Sequence, residues 1–482
     1  MLAKPADVEK LIGDSYLSFF YAPTYYSNIA AQTSAMSFEH SPMAANFGMI
    51  ERSAIPRTAP NNRVSDQFAS QYYYSWSQAY KAIRAASDGI SQIDAGMSLG
   101  SAAADNRARA FARLVQGLSL GHLAMVYDSV LVVDEKTDIA TVKFVSYQDG
   151  MTAALAKLDQ AIAIATSTSF TLPATWINGQ ALSSADFIKL VRSYKAYYRA
   201  NVARTPTERA AVTWTSVIAD AQAGITADFK VTSDYNNWYF GMQEIYSFYG
   251  AWNQINYFYT GMADTSGNFQ AWLATPLTSR SPFILCTPDN RWPRGCSQAE
   301  QSAGGANNGR YIAWNGTGGH ARSDRGTWRW SYYRNNRYQA FYSGGYLGPM
   351  TVLPKAELDF LQAEGYIRSN QPASALPIIN ASRAAAGLPA ADVNGVSGSA
   401  CVPKLPNGTC GSLLEAMKYE KRLETQYFGG WYYNGRGWGD LVEGTLVHYP
   451  APARELETLG LPLYTRGGVG QVGGAAKGTY GY

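Results

Sequence analysis

Charge is scarce in this chain. Of its 482 residues only 40 are Lys or Arg and 36 Asp or Glu, 16% in all, against about 25% in an average globular protein. A net charge of +4 over that length sets up no strong field for phosphates, which argues against a general nucleic-acid binder. No run approaches the roughly 18–20 apolar residues of a membrane-spanning helix; the longest, such as Val130-Leu131-Val132-Val133, are core-sized. The four histidines, His40, His122, His320 and His448, stand apart with no HxH or HExxH spacing, so neither a metal nor a cofactor is expected. His122 falls on an apolar helical stripe and reads as a core-edge histidine. The opening MLAKPADVEKL is charged and amphipathic, not a basic stub before an apolar core. It does not read as a signal peptide, which leaves a cytoplasmic protein or an export signal outside this sequence.

Cysteine is also scarce, and its placement favours export. Cys286 and Cys296 bracket CTPDNRWPRGC, and Cys401 and Cys410 bracket CVPKLPNGTC. Neither pair has CxxC spacing or a histidine beside it, so two short loop-closing disulfides are expected, in oxidising surroundings. Each would contribute about 2.5–3 kcal/mol in the chain-entropy account.

What replaces charge is aromatic and neutral polar. The chain has 34 Tyr, 18 Phe and 12 Trp, which rules out a disordered chain. Residues 1–227 read as a helical region. Phe111, Val115, Leu118, His122 and Met125 form one apolar stripe, and Met151, Leu155, Leu158, Ile162 and Ala165 another. Ser184 and Asp186 open a further helix, and Thr205-Pro206-Thr207-Glu208 has capping-box form. Residues 228–350 alternate aromatics with Gly, Asn, Ser and Thr and read as an insertion of loops and short strands. Helices resume over 351–457, with Ser412 and Glu415 as a second capping box, and 458–482 is a Gly/Tyr-rich tail. The predicted fold class is mainly α: tetratricopeptide-like helix pairs with a large loop and short-strand insertion, although no even 34-residue period runs through the chain.

Three catalytic-looking strings carry little. GMSLG (96–100) and GLSLG (117–121) match the nucleophile-elbow pattern, but the first begins a loop after a helix and the second lies inside one. Gly468-x-Gly470-x-x-Gly473 has dinucleotide-loop spacing without a following helix. No Asp/Glu pair is singled out as a glycosidase acid and nucleophile.

The informative strings are ELDFLQAEGYIRSNQPASALPIINASRAAAGLP from Glu357, LLEAMKYEKRLETQYFGGWYYNGRGWGDL from Leu413 and VHYPAPARELE from Val447. Together these resemble the SusD/RagB family of outer-membrane nutrient-binding lipoproteins. The resemblance runs through Glu357, Ala363, Glu364, Ala375, Asn380 and Arg383, then Glu420, Arg422 and Glu424, then Pro450, Pro452, Glu455 and Leu456. Trp76, Tyr80 and Ile83, and the helix from Arg109 to Tyr127, are similar to the family's N-terminal helices. The family's lipidated cysteine has no counterpart, and its aromatic-Asp-Leu-Arg stretch is replaced by Trp431-Tyr432-Tyr433-Asn434-Gly435-Arg436. Independently of the family, Glu364, Arg383, Glu420 and Arg422 are expected to form a buried ionic cluster that sets helix register.

The resemblance implies a non-enzymatic binder at the bacterial outer-membrane surface, taking a glycan or other nutrient for uptake through a SusC-like TonB-dependent transporter. A neutral sugar needs aromatic platforms edged by amides and guanidiniums. Residues 235–342 supply these in Trp238, Tyr239, Trp252, Trp272, Trp292, Trp314, Trp328, Trp330 and Tyr332. Trp314, Trp328 and Trp330 are the expected platforms, with Asn315, Arg329 and Asn335 at their edges; failing these, the site is expected around Trp238 and Trp252. Two other readings compete: a secreted structural subunit that self-associates through its Tyr-rich loops, and an α-helical glycoside hydrolase.

Overall fold

A computed structural model describes residues 4–25, 29–41, 46–239, 241, 254–316, 326–428 and 430–470. Eleven of its helices have eight or more residues: α1 Pro5–Thr24, α2 Ile29–Met36, α3 Ala69–Asp94, α4 Ala102–Val126, α5 Tyr147–Ser167, α6 Ser184–Asn201, α7 Trp214–Gln222, α8 Lys355–Arg368, α9 Pro372–Ala385, α10 Leu413–Glu424 and α11 Trp431–Trp438. Three antiparallel two-stranded ladders accompany them, β1 Ser129–Leu131 with β2 Phe144–Ser146, β3 Phe229–Ser233 with β6 Gly348–Leu353, and β4 Ile312–Trp314 with β5 Tyr333–Asn335. The protein is mainly α, as its stripes predict.

Local chemistry starts these helices. The side chains of Ser101, Ser146, Ser183 and Ser412 each accept a backbone N–H three residues on, opening α4, α5, α6 and α10. The expected capping boxes close only halfway. Thr205 accepts the Glu208 N–H, but the Glu208 carboxylate takes the Arg204 N–H at 2.8 Å and the Tyr147 hydroxyl at 2.8 Å. Glu415 likewise turns to Lys418, 2.7 Å away. The predicted stripe of α4 is buried throughout. His122 sits within it, its Nε2 2.8 Å from Ser75 Oγ, and burial pushes its pKa down to about 3.

The GLSLG string proves to be a packing surface. Gly117 and Gly121 share one face of α4, and a side chain at either would collide with Leu158 of α5 or the ring of Tyr198 of α6. Ser119 between them is buried. Gly96 of the other string sits at φ +101° in the loop before α4, so neither serine stands on a strand-to-helix elbow.

The β3–β6 ladder joins the two ends of the middle segment, from Phe229↔Leu353 to Ser233↔Gly348. Between them no described helix exceeds seven residues. Instead the segment builds an aromatic core of its own around Tyr257, Phe269, Trp272, Trp292, Trp328 and Tyr333, closed by Leu388 just after α9 and by Tyr419 and Leu423 of α10. Both expected disulfides are present, with Cα atoms 4.7 Å apart for Cys286–Cys296 and 5.7 Å for Cys401–Cys410. No described helix is long and apolar enough to cross a membrane.

The ionic residues do not form the single cluster expected of them. Glu364 takes a bidentate pair from Arg209 at 2.9 and 2.6 Å, plus Arg368 at 2.7 Å and the Trp438 indole N–H at 2.9 Å. Glu420 meets Arg291 at 2.8 Å and Arg383 at 3.3 Å, while Arg422 turns to Asp440 at 3.0 Å. Two residues apart on a helix means nearly opposite faces, so Glu420 and Arg422 cannot serve one cluster. The missing partners, Arg209 and Arg291, come from parts of the chain far away in sequence.

Candidate functional site

Along 331–335 burial alternates: Ser331, Tyr333 and Asn335 point inward, and Tyr332 and Arg334 are partly exposed. This is the two-residue period of a strand with one wet face. Trp330, also partly exposed, continues the outward set. On the partner strand Ile312 and Ala313 are buried and Trp314 emerges. Trp314 pairs with Tyr333 and so leaves the strand on that residue's side, but at the end of the ladder it stays partly exposed and its ring meets that of Tyr332.

Tyr333 is the post beneath the ladder. Its hydroxyl donates to Gln301 Oε1 at 2.7 Å and accepts the Leu285 N–H at 2.8 Å. Its ring meets Trp292 edge-on at 5.3 Å and Trp314 at 5.9 Å. Gln301 also donates to the carbonyls of Leu285 and Gly295, at 2.9 and 2.8 Å. The Cys286–Cys296 loop is thereby tied to the base of the platform.

Above the post, the Trp314 and Tyr332 rings lie 5.2 Å apart with planes inclined at 41°. The Asn315 N–H donates to the Tyr332 carbonyl at 2.6 Å, which fixes the corner where the amide side chain leaves the strand. Asn315 Nδ2 at this corner, and Trp330 Nε1 two residues before Tyr332, are shielded from water and have no hydrogen-bond partner in the protein. A buried unpaired donor costs about 1–3 kcal/mol, a cost that a ligand oxygen removes once the side chain turns to meet it. Half-covered aromatic faces beside an unpaired neutral donor suit a neutral, hydroxyl-rich ligand with an apolar ring face.

Three of the six expected ligand-binding residues are taken up by the protein itself. Trp328 is 5% exposed, wedged edge-on against Phe38 and Phe258 at 5.7 and 6.1 Å. Arg329 is buried, donating to Ser53 Oγ while its carbonyl accepts from Ser41. Asn335 is buried on the inward face, donating to Gln426 Oε1 at 2.9 Å and accepting the Arg337 N–H at 2.8 Å. These side chains fasten the insertion to the segment after α2 and to the end of α10, and present no face to a ligand. Trp238, Trp272 and Trp292 are core, and Trp252 lies outside the described residues. Tyr332 and Arg334 are the outward residues that a period-two reading of 330–335 would have selected.

No family model matches the sequence, and no curated protein matches it. Solved structures do match over nearly the whole chain. A SusD/RagB family protein from Bacteroides thetaiotaomicron is 15% identical, with 93% of this chain and 94% of that one covered and a TM-score of 0.52. A SusD superfamily protein from Bacteroides vulgatus is 13% identical, with 92% and 89% covered and a TM-score of 0.50. A chitin-binding SusD homologue from Flavobacterium johnsoniae is 15% identical, with 92% and 90% covered and a TM-score of 0.50. The fold is that of SusD.

Proposed function

We propose that this chain of SusD fold is a non-catalytic binder of a glycan, which it holds at the Trp314 end of the β4–β5 ladder. The observation that carries the reading is the corner where the partly exposed Trp314 and Tyr332 rings meet beside Asn315, whose amide nitrogen has no partner. The chitin-binding neighbour of the same fold supports the class of ligand. By the family resemblance the protein works at the bacterial cell surface, and a SusC-like TonB-dependent transporter takes up what it holds; a co-purification of the two, from a strain carrying both genes, tests that partnership.

The binding itself is tested by calorimetry on Trp314→Ala, Trp330→Phe and Asn315→Ala against a panel of neutral oligosaccharides. Aromatic stacking is worth about 0.5–1.5 kcal/mol per ring, so Trp314→Ala should weaken binding about threefold to tenfold with an unchanged melting temperature. Trp330→Phe keeps a ring and removes only the N–H. Wild-type affinity in all three variants would place the site elsewhere. Release of reducing ends from any polysaccharide in the panel would replace binding with hydrolysis.

A further inference from the structure

A row of tyrosine rings lies apart from the ladder corner. Tyr74 of α3 is 5.1 Å from Tyr25, and Tyr25 is 6.3 Å from Tyr239. Tyr239 is 5.6 Å from Tyr235, Tyr235 stacks at 5.6 Å and 14° on Tyr346, and Tyr346 is 5.6 Å from Tyr342. All six reach solvent in part, and Tyr235 is 48% exposed. The rings come from the N-terminal helices and from the two ends of the insertion, which only the tertiary fold brings together.

The centre of the row is held in an unfavourable backbone. Tyr235 and Tyr346, the stacked pair, have φ +60° and +62°, a conformation that residues with a β-carbon rarely adopt and glycine takes freely. The loop carrying Tyr235 is built to hold it there. The Asp234 carboxylate accepts the N–H groups of Asn236, Asn237 and Trp238 at 2.8–2.9 Å. Burial pushes this carboxyl up, but the three N–H bonds hold it below its ordinary value. The Trp238 ring then anchors the loop in the core, 5.4 Å from Phe20. Asn236 and Asn237 stand exposed beside Tyr235.

Phenol rings present an apolar face and a hydroxyl together, and each of the contacts named above is tyrosine on tyrosine. That chemistry suits a neutral partner with apolar faces and many hydroxyls. The rings follow one another as a row rather than converging on a pocket, which suits an extended chain over a compact molecule. We propose that the tyrosine row is a second contact surface, engaging a neutral polysaccharide along several sugar units. The inference rests on the glycan reading above and adds to it the length of the ligand.

The test compares wild type, Trp314→Ala, Tyr235→Ala and Tyr342→Ala on long and short probes. The long probes are glycol chitin, hydroxyethyl cellulose and soluble starch in affinity gels; the short ones are chitotriose, cellotriose and maltotriose by calorimetry. Each tyrosine variant should bind the retarding polysaccharide about threefold to tenfold more weakly and the matching trisaccharide as wild type does, whereas Trp314→Ala should weaken both. Tyrosine variants that bind the polysaccharide like wild type overturn the row and leave the ladder corner standing. A wild type that binds none of the six probes overturns both. Nitration of the unmutated protein with tetranitromethane gives an answer even where a variant misfolds. Tyr235 and Tyr342 should be protected by the retarding polysaccharide and not by its trisaccharide, and full reactivity in both overturns the row.

Discussion

Glu39 shows how far one buried carboxyl can set the response of this protein to pH. It is 1% exposed, accepts the Tyr427 N–H at 2.7 Å and lies 3.2 Å from Ser34 Oγ. Burial outweighs both bonds and raises its pKa from 4.5 to about 7. Below pH 4.5 the folded and unfolded chains both hold this proton; between there and about 7 only the folded chain keeps it. Stability therefore falls as pH rises through that window, on the order of 3 kcal/mol in all, and Asp128, raised by burial to about 6, acts in the same sense. Urea midpoints of wild type should drop between pH 5 and 7, and those of Glu39→Gln should drop less; equal slopes would mean that Glu39 is ionised throughout. Glu364 has the opposite sign. Burial pushes it up, but Arg209, followed by Arg368 and Lys421, brings it down to about 2, so its contribution is present above pH 4.5 and is lost as pH falls toward 2. Removing one partner of this pair strands a buried charge, and Arg209→Ala should cost about 3–5 kcal/mol, read from the same urea curves. Arg209→Met with Glu364→Gln should recover much of that loss.

Among the elements, α4 and the β4–β5 ladder make contrasting demands. α4 packs on α5 and α6 through Gly117 and Gly121, where even a methyl group needs neighbouring side chains to move. Gly121→Val should lower stability by about 1–3 kcal/mol through overpacking and shift the melting temperature, whereas Gly96→Ala, at a position open to solvent but with φ +101°, should cost less. The ladder is only three residues a side and depends on what braces it. Its post, Tyr333, is bonded to Leu285, next to Cys286. Replacing Cys286 and Cys296 by Ser should remove about 2–3 kcal/mol in the loop-entropy account and weaken glycan binding along with it. The Cys401–Cys410 pair closes a loop that packs with Ile379 of α9 and Met417 of α10 and should affect stability alone; calorimetry on both double variants separates the two cases.

For the whole molecule, a few buried cations tie together parts of the chain hundreds of residues apart. Arg436 of α11 donates to the carbonyls of Met125, Val447 and Asn201 at 2.8, 2.7 and 2.9 Å. It thus joins the ends of α4 and α6 to the C-terminal region. Arg436→Lys replaces two separated donor nitrogens, one serving Met125 and Val447 and the other Asn201, by a single one. Far-ultraviolet dichroism and tryptophan fluorescence, which should report one coincident unfolding transition in wild type, should separate in the variant.

Helical class, helix starts and the short disulfide loops were legible in the sequence because each depends on neighbours within about ten residues. The stripe from Phe111 to Met125 and the caps at Thr205 and Ser412 needed no distant partner. The family resemblance rested on short strings from Glu357, Leu413 and Val447 and on their order, and it led to the SusD fold that the solved structures share. Tertiary structure decided the rest. Trp314 and Trp328 have similar local surroundings, yet one meets solvent and the other fills the gap between Phe38 and Phe258. Glu364 and Glu420 belong to separate networks because their arginines arrive from residues 209 and 291. Which side of an aromatic ring stays uncovered is settled by what packs on it from elsewhere in the chain, and local spacing carries no record of that.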